Sequence, residues 1–87
     1  MNYILDAVYC QDLKGTYDYW IDLFDLPDYT GHNLDALWDA MTDLSYSRIE
    51  VNHARLFYEQ LAERGLAFLD LLGDLDRDGY HQVIIKW

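Results

Sequence analysis

Three short strand-like runs, NYILD (2–6), RIEVN (48–52) and HQVIIKW (81–87), stand far apart along a chain of 87 residues, and the stretches between them carry helical spacing. Strands joined by tight turns pair antiparallel. Strands separated by whole helices must cross over, which favours parallel pairing with the helices laid against the sheet. In RIEVN, Ile49 and Val51 alternate with polar residues and face one side. In the last run Val83-Ile84-Ile85 is continuous, the pattern of a strand that is apolar on both faces. The spacing therefore predicts a single α/β domain over residues 1–87, a small parallel sheet with helices packed against it. No repeat, low-complexity segment or linker interrupts it.

After a turn near Gln11 and Asp12, KGTYDYWIDLFDL sets Tyr17, Trp20, Ile21 and Phe24 on one helical face, with Gly15 near the helix start, where glycine costs less than in the interior. Pro27 ends that pattern, because it removes an amide donor and restricts the residue before it. Residues 26–32 read as a loop with Gly31 as its bend. Asn33 is a good N-cap for a helix from Leu34 to about Leu44. A further helix is expected from about Ala54 to Arg64 with Gly65 as its cap. Another follows over 66–75, weakened near its end by Gly73. A chain of this length buries only about 60–65% of its unfolded surface, so the 52% hydrophobic and 16% aromatic content is what makes a core attainable.

Sixteen acidic residues against six basic ones leave a formal charge of −10 and a pI near 4.2. Nucleic acid and anionic membrane are both poor partners for such a surface, since binding either requires lysine or arginine to displace counterions. A basic protein is a good one, and the field would speed its capture. The plainer role of the charge is solubility. Cys10 is the only cysteine, which excludes an internal disulfide and a multi-cysteine zinc site. The first residues, MNYILDAVYCQDLKG, lack a basic segment followed by an apolar stretch, and no apolar run nears 18 residues. A cytoplasmic protein is expected.

The stretch from Leu34 to Leu44 departs from an ordinary amphipathic helix. At about 100° per residue, Leu37, Ala40, Met41 and Leu44 form the buried stripe with Leu34 at its edge. Asp35, Asp39 and Asp43 line up roughly opposite, with Thr42 beside them and Trp38 on the border. Like charges four apart repel, each pair costing roughly 0.2–0.5 kcal/mol of helix stability. The dipole favours Asp35 in the first turn, does little for Asp39 and disfavours Asp43. No lysine or arginine lies between Lys14 and Arg48, so only a tertiary partner such as Arg48 or Arg77 could neutralise the row. A solvated helix face accounts for the aspartates alone; a border tryptophan adds an energetic anchor of the kind interfaces use.

Other constellations are weaker. DLDRDG (74–79) imitates the start of a calcium loop, but the twelfth position that needs a bidentate glutamate is Ile85. His32, His53 and His81 show no metal-ligand spacing. His32 adjoins the acidic helix and could touch a partner, while His53 and His81 read as surface or strand-end residues. Carboxylates on an outward helix face, with no nucleophile–base pair or phosphate loop, do not make an enzyme, and no cofactor or metal is expected.

LPDYTGHNLDALWDAMT (26–42) resembles the signature loop and second helix of the barstar family, intracellular inhibitors of secreted bacterial ribonucleases of the barnase type. The likeness extends along the chain, through the first strand, the helix before Leu26-Pro27, RIEVN and VIIKW. It implies a three-stranded parallel sheet packed against about four helices, monomeric when free, whose partner is a basic extracellular ribonuclease. Loop and helix would plug the nuclease active site. By that likeness Asp39 stands in for the RNA phosphate, Asp35 faces an arginine of the enzyme, and Tyr29 packs on its catalytic histidine. Asn33, Leu34, Trp38 and Thr42 match surrounding contacts, and Gly31 the bend that presents them. The family also uses an acid on its fourth helix, for which Asp74 is the first candidate and Asp76 the second. The family has a tyrosine at the place of Thr30, an acid at His32, a glycine at Asp43 and a tryptophan at Leu44. These departures bear on which partner is bound. The alternative is an interaction module of the same fold that binds another basic protein or toxin.

Overall fold

The computed structural model describes residues 1–87. Strands β1 (Asn2–Asp6), β2 (Arg48–Asn52) and β3 (Gln82–Ile85) form one parallel sheet in chain order. Leu5 stands opposite Val51, which stands opposite Ile85; Ile4, Glu50 and Ile84 form the next row. Side chains alternate across a strand, so Leu5, Ile49 and Val51 are fully buried while Ile4 is 59% exposed. A sequential parallel sheet built from right-handed crossovers carries its helices on one side. The continuous apolar run in β3 is thus not buried on both faces. Val83 and Ile85 join the core and Ile84 sits half-buried on the open side.

Four helices cover the other side: α1 (Leu13–Leu23), α2 (Leu34–Asp43), α3 (Arg55–Leu61) and α4 (Glu63–Arg77), with a short 3-10 turn at Ala7–Tyr9 after β1. The Asp12 carboxylate accepts the Gly15 amide to start α1. The helix ends before Pro27 is reached. Asp25 adopts a left-handed φ of 52°, the Leu26 amide returns to the Ile21 carbonyl at 2.9 Å, and the Asp25 amide to Asp22 at 3.3 Å. That double closure reverses the chain and drives Leu26 into the core. Trp20 is the core's centre, with ring centroids 5.8 Å from Phe24, 6.4 Å from Phe57 and 5.5 Å from Phe68. Cys10 is fully buried, and burial pushes its thiol up to about 11, which keeps it protonated and unreactive. Each sheet edge is blunted by a side chain: the Asp6 amide donates to the Tyr19 hydroxyl at 3.0 Å, and the Val83 amide to the Asp76 carboxylate at 2.9 Å.

The boundary between the last two helices differs from the sequence expectation. Gly65 does not cap α3; it is buried inside α4, where a Cβ would collide with the Phe57 carbonyl. The break falls at Ala62, with φ 55° and ψ −133°, whose amide returns to Tyr58. Gly73 likewise lies inside α4, which continues to Arg77. The sequence offers a glycine at the conventional stop position, but close packing of α3 on α4 requires that glycine elsewhere. Alanine tolerates the left-handed region poorly. Ala62→Gly is therefore expected to raise stability by about 0.5–1 kcal/mol, read as a higher urea midpoint at unchanged slope; a lower midpoint would show that Ala62 is not strained.

Candidate functional site

The loop between α1 and α2 starts from the buried Leu26. The Pro27 carbonyl accepts both the Thr30 amide, at 2.9 Å, and the Thr30 hydroxyl, at 2.7 Å. This closes a turn whose tip is Asp28-Tyr29, and leaves Tyr29 89% exposed. Gly31 is not itself the turn. A Cβ on it would stand 3.0 Å from the Asn33 side-chain nitrogen and 3.4 Å from the Ala36 Cβ, so its value is that the loop can lie against the first turn of α2. The bend follows at His32-Asn33. His32 is held to α1: its ring stacks on Tyr17 with centroids 5.5 Å apart, and its Nε2 lies 3.1 Å from the Asp18 carboxylate. Lys14 also bonds Asp18, at 2.7 Å, and holds that carboxyl below its usual range, with His32 adding to the effect.

Asn33 caps α2, its side-chain oxygen accepting the Ala36 amide at 2.8 Å. Leu37 and Met41 are fully buried, Leu34, Trp38, Ala40 and Leu44 half-buried, and Asp35, Asp39 and Asp43 exposed. The wheel placed them so. None of the three aspartates forms an ion pair. Arg77 bonds Asp74 at 3.0 Å and Asp78 at 3.3 Å, and Arg48 pairs with no carboxylate. The row is therefore charged and unneutralised on a rigid helix. The Thr42 hydroxyl turns back to the Asp39 carbonyl at 3.1 Å.

Two concavities flank this element. One, of about 450 Å³, lies between the loop and α2; Pro27, Tyr29, Thr30 and Gly31 form one wall, and Asp39, Ala40 and Asp43 the other. The second, of about 440 Å³, is lined by Tyr17, His32, Asn33, Leu34, Asp35 and Arg64. The structure thus brings Tyr29, Gly31 and Asp39 together and adds Asp43, while Asp35 goes with Asn33 and Leu34 on the other side. Trp38 and Thr42 line neither cleft. Trp38 packs edge-on against Tyr80, centroids 5.7 Å apart at 82°. Asp74, half-buried on α4, holds Arg77, and Asp76 is occupied by the Val83 amide. Residues 74–77 are helical with Arg77 between Asp74 and Asp78, so DLDRDG forms no calcium loop.

His81 stands at the strand end, immediately before β3, but is not an ordinary surface residue there. It is 1% exposed; its Nδ1 accepts the Ser47 amide at 3.1 Å and its Nε2 donates to the Met41 carbonyl at 2.7 Å. His53 is exposed and lies 3.0 Å from Asp6. Tyr80 and His81 are the two contacts to α2 that sequence reasoning missed. No local spacing signals them, because each reaches back about forty residues.

A family model described as Barstar (barnase inhibitor) matches residues 1–85. YrdF of Bacillus subtilis (strain 168), named as a candidate ribonuclease inhibitor, is 44% identical over 39 residues, which cover 45% of this chain and 43% of that protein. The matched stretch is thus less than half the length of that relative.

Proposed function

Since the chain belongs to the barstar family, we propose that it inhibits a basic bacterial ribonuclease by closing the enzyme's active site with residues 27–33 and the outward face of α2. The observation that carries this reading is the row of exposed carboxylates with no cation of its own, beside a tyrosine that is 89% exposed. A metal-independent ribonuclease holds the RNA phosphate with cationic side chains, and carboxylates on a helix can occupy the phosphate's place. No internal ion pair has to be broken first, so the surface is preorganised. In the free protein the row repels itself, by roughly 0.2–0.5 kcal/mol per neighbouring pair, and arrival of a cation relieves that repulsion. Asp39 is the central phosphate mimic. Asp35 meets a second cation on the far side of the loop. Tyr29 and Trp38 supply apolar contact, with Asn33, Leu34 and Thr42 around them. Asp74, whose ion pair with Arg77 is solvent-exposed, is the contribution of α4 in preference to Asp76, whose carboxylate accepts the Val83 amide. The net charge of −10 speeds the encounter. The inhibitor acts as a monomer inside the producing cell.

The direct test titrates the purified protein against a panel of basic secreted ribonucleases. Stoichiometric inhibition at nanomolar concentration is expected, with association slowing about tenfold or more as salt rises from about 0.05 to about 0.5 M. A second reading, the same surface closing on a basic protein that is not a nuclease, draws on Asp43, which widens the charged wall of the cleft. It would prevail if no ribonuclease were inhibited and capture from lysate recovered a basic non-nuclease through Asp39 and Asp43.

A further inference from the structure

We infer that His81 is a positioning residue for the partner-binding surface: from the entry to β3 it caps the last turn of α2 and, with Tyr80, sets where Asp39 and its neighbours stand. The final carbonyls of a helix have no partner within it. Sequences usually meet this need with a glycine just past the end or a cationic side chain in the last turn. Here neither is present, and the chain leaves through Leu44 in an extended conformation, φ −68° and ψ 147°. The Met41 carbonyl is met instead by the His81 Nε2–H at 2.7 Å. The other ring nitrogen receives the Ser47 amide at 3.1 Å, on the connection into β2. Only the neutral ring protonated at Nε2 satisfies both bonds at once. One buried side chain thereby joins the end of α2, the start of β2 and the start of β3.

Tyr80, the preceding residue, meets α2 at Trp38. The two anchors are three residues apart on the helix and bracket Asp39. Charge–charge contacts in an interface demand placement within about 0.5 Å, whereas long-range steering depends on charge and hardly on its fine placement. Loosening the anchors should therefore speed dissociation and leave association alone. The inference rests on the reading of α2 as the partner-facing element, so its test has one arm without a partner.

His81→Phe removes both hydrogen bonds and keeps a ring, while His81→Gln retains an acceptor and a donor. Against a ribonuclease that the wild type inhibits, His81→Phe is expected to dissociate about tenfold faster, with the association rate and its salt dependence within about twofold of wild type, and His81→Gln to recover most of the loss. In the free protein, NMR order parameters of residues 38–43 should fall in His81→Phe while those of α1 hold. A folded His81→Phe protein with wild-type dissociation would overturn the inference. Were it unable to fold, Tyr80→Leu carries the same comparison, with dissociation about threefold faster expected and an unchanged rate decisive against it. If the wild type inhibits no ribonuclease, the proposed function fails, and the order parameters alone decide on His81: a drop in residues 38–43 sustains it and an unchanged profile refutes it.

Discussion

Asp39→Ala is expected to weaken inhibition by about 30-fold to about 4,000-fold and at the same time to stabilise the free protein. The loss of affinity corresponds to about 2–5 kcal/mol, the usual cost of truncating one partner of a buried charge pair, a range that draws in part on the barnase–barstar pair itself. Most of it comes from the enzyme's cations left desolvated and unpaired. The gain in stability has a separate source. Asp39 stands four residues from both Asp35 and Asp43, no base neutralises any of them, and removing the middle charge abolishes both repulsions, worth together about 0.4–1 kcal/mol. An inhibition titration and a urea melt on the same preparation measure the two signs. Equal inhibition by the variant would remove the proposed function. A variant less stable than wild type would mean that the carboxylate is engaged within the protein.

Gly65→Ala should be the most damaging small substitution. The added methyl meets the Phe57 carbonyl, which is backbone and cannot swing aside, so α3 and α4 must separate. A cost of about 3 kcal/mol or more is expected, lowering the melting midpoint by about 12–24 °C for a domain of this size. A midpoint within about 2 °C of wild type would show slack between the two helices, since that corresponds to less than about 0.5 kcal/mol. Because Gly65 packs against α3 and lines neither cleft, the protein that does fold at low temperature should inhibit normally. Gly65→Ala and Asp39→Ala therefore separate folding from binding in opposite directions.

Much of this could be read from short stretches of sequence. NYILD, RIEVN and the apolar end of the chain declared the strands, and the gaps between them declared parallel pairing. Asn33 announced the start of α2, and the wheel assigned Leu37 and Met41 inward and the three aspartates outward. The strands, the cap and the two faces of α2 rest on periodicity and capping within about four residues, which the local sequence carries in full, and the pairing on the length of the gaps, which leaves room for whole helices.

What the tertiary structure alone decided involves segments distant in sequence. Gly65 sits inside a helix because Phe57 passes close to it, and the strained break moved to Ala62. The acidic row is split because the Tyr29 loop folds over one side of α2, which groups Asp39 with Asp43 in one cleft and leaves Asp35 to the other, whose wall includes Arg64 without an ion pair between them. The end of α2 is capped by His81, forty residues beyond Met41. No window of sequence contains both members of such a contact, so neither the shape of the cleft nor the anchoring of its charged wall could be known until the chain had closed on itself.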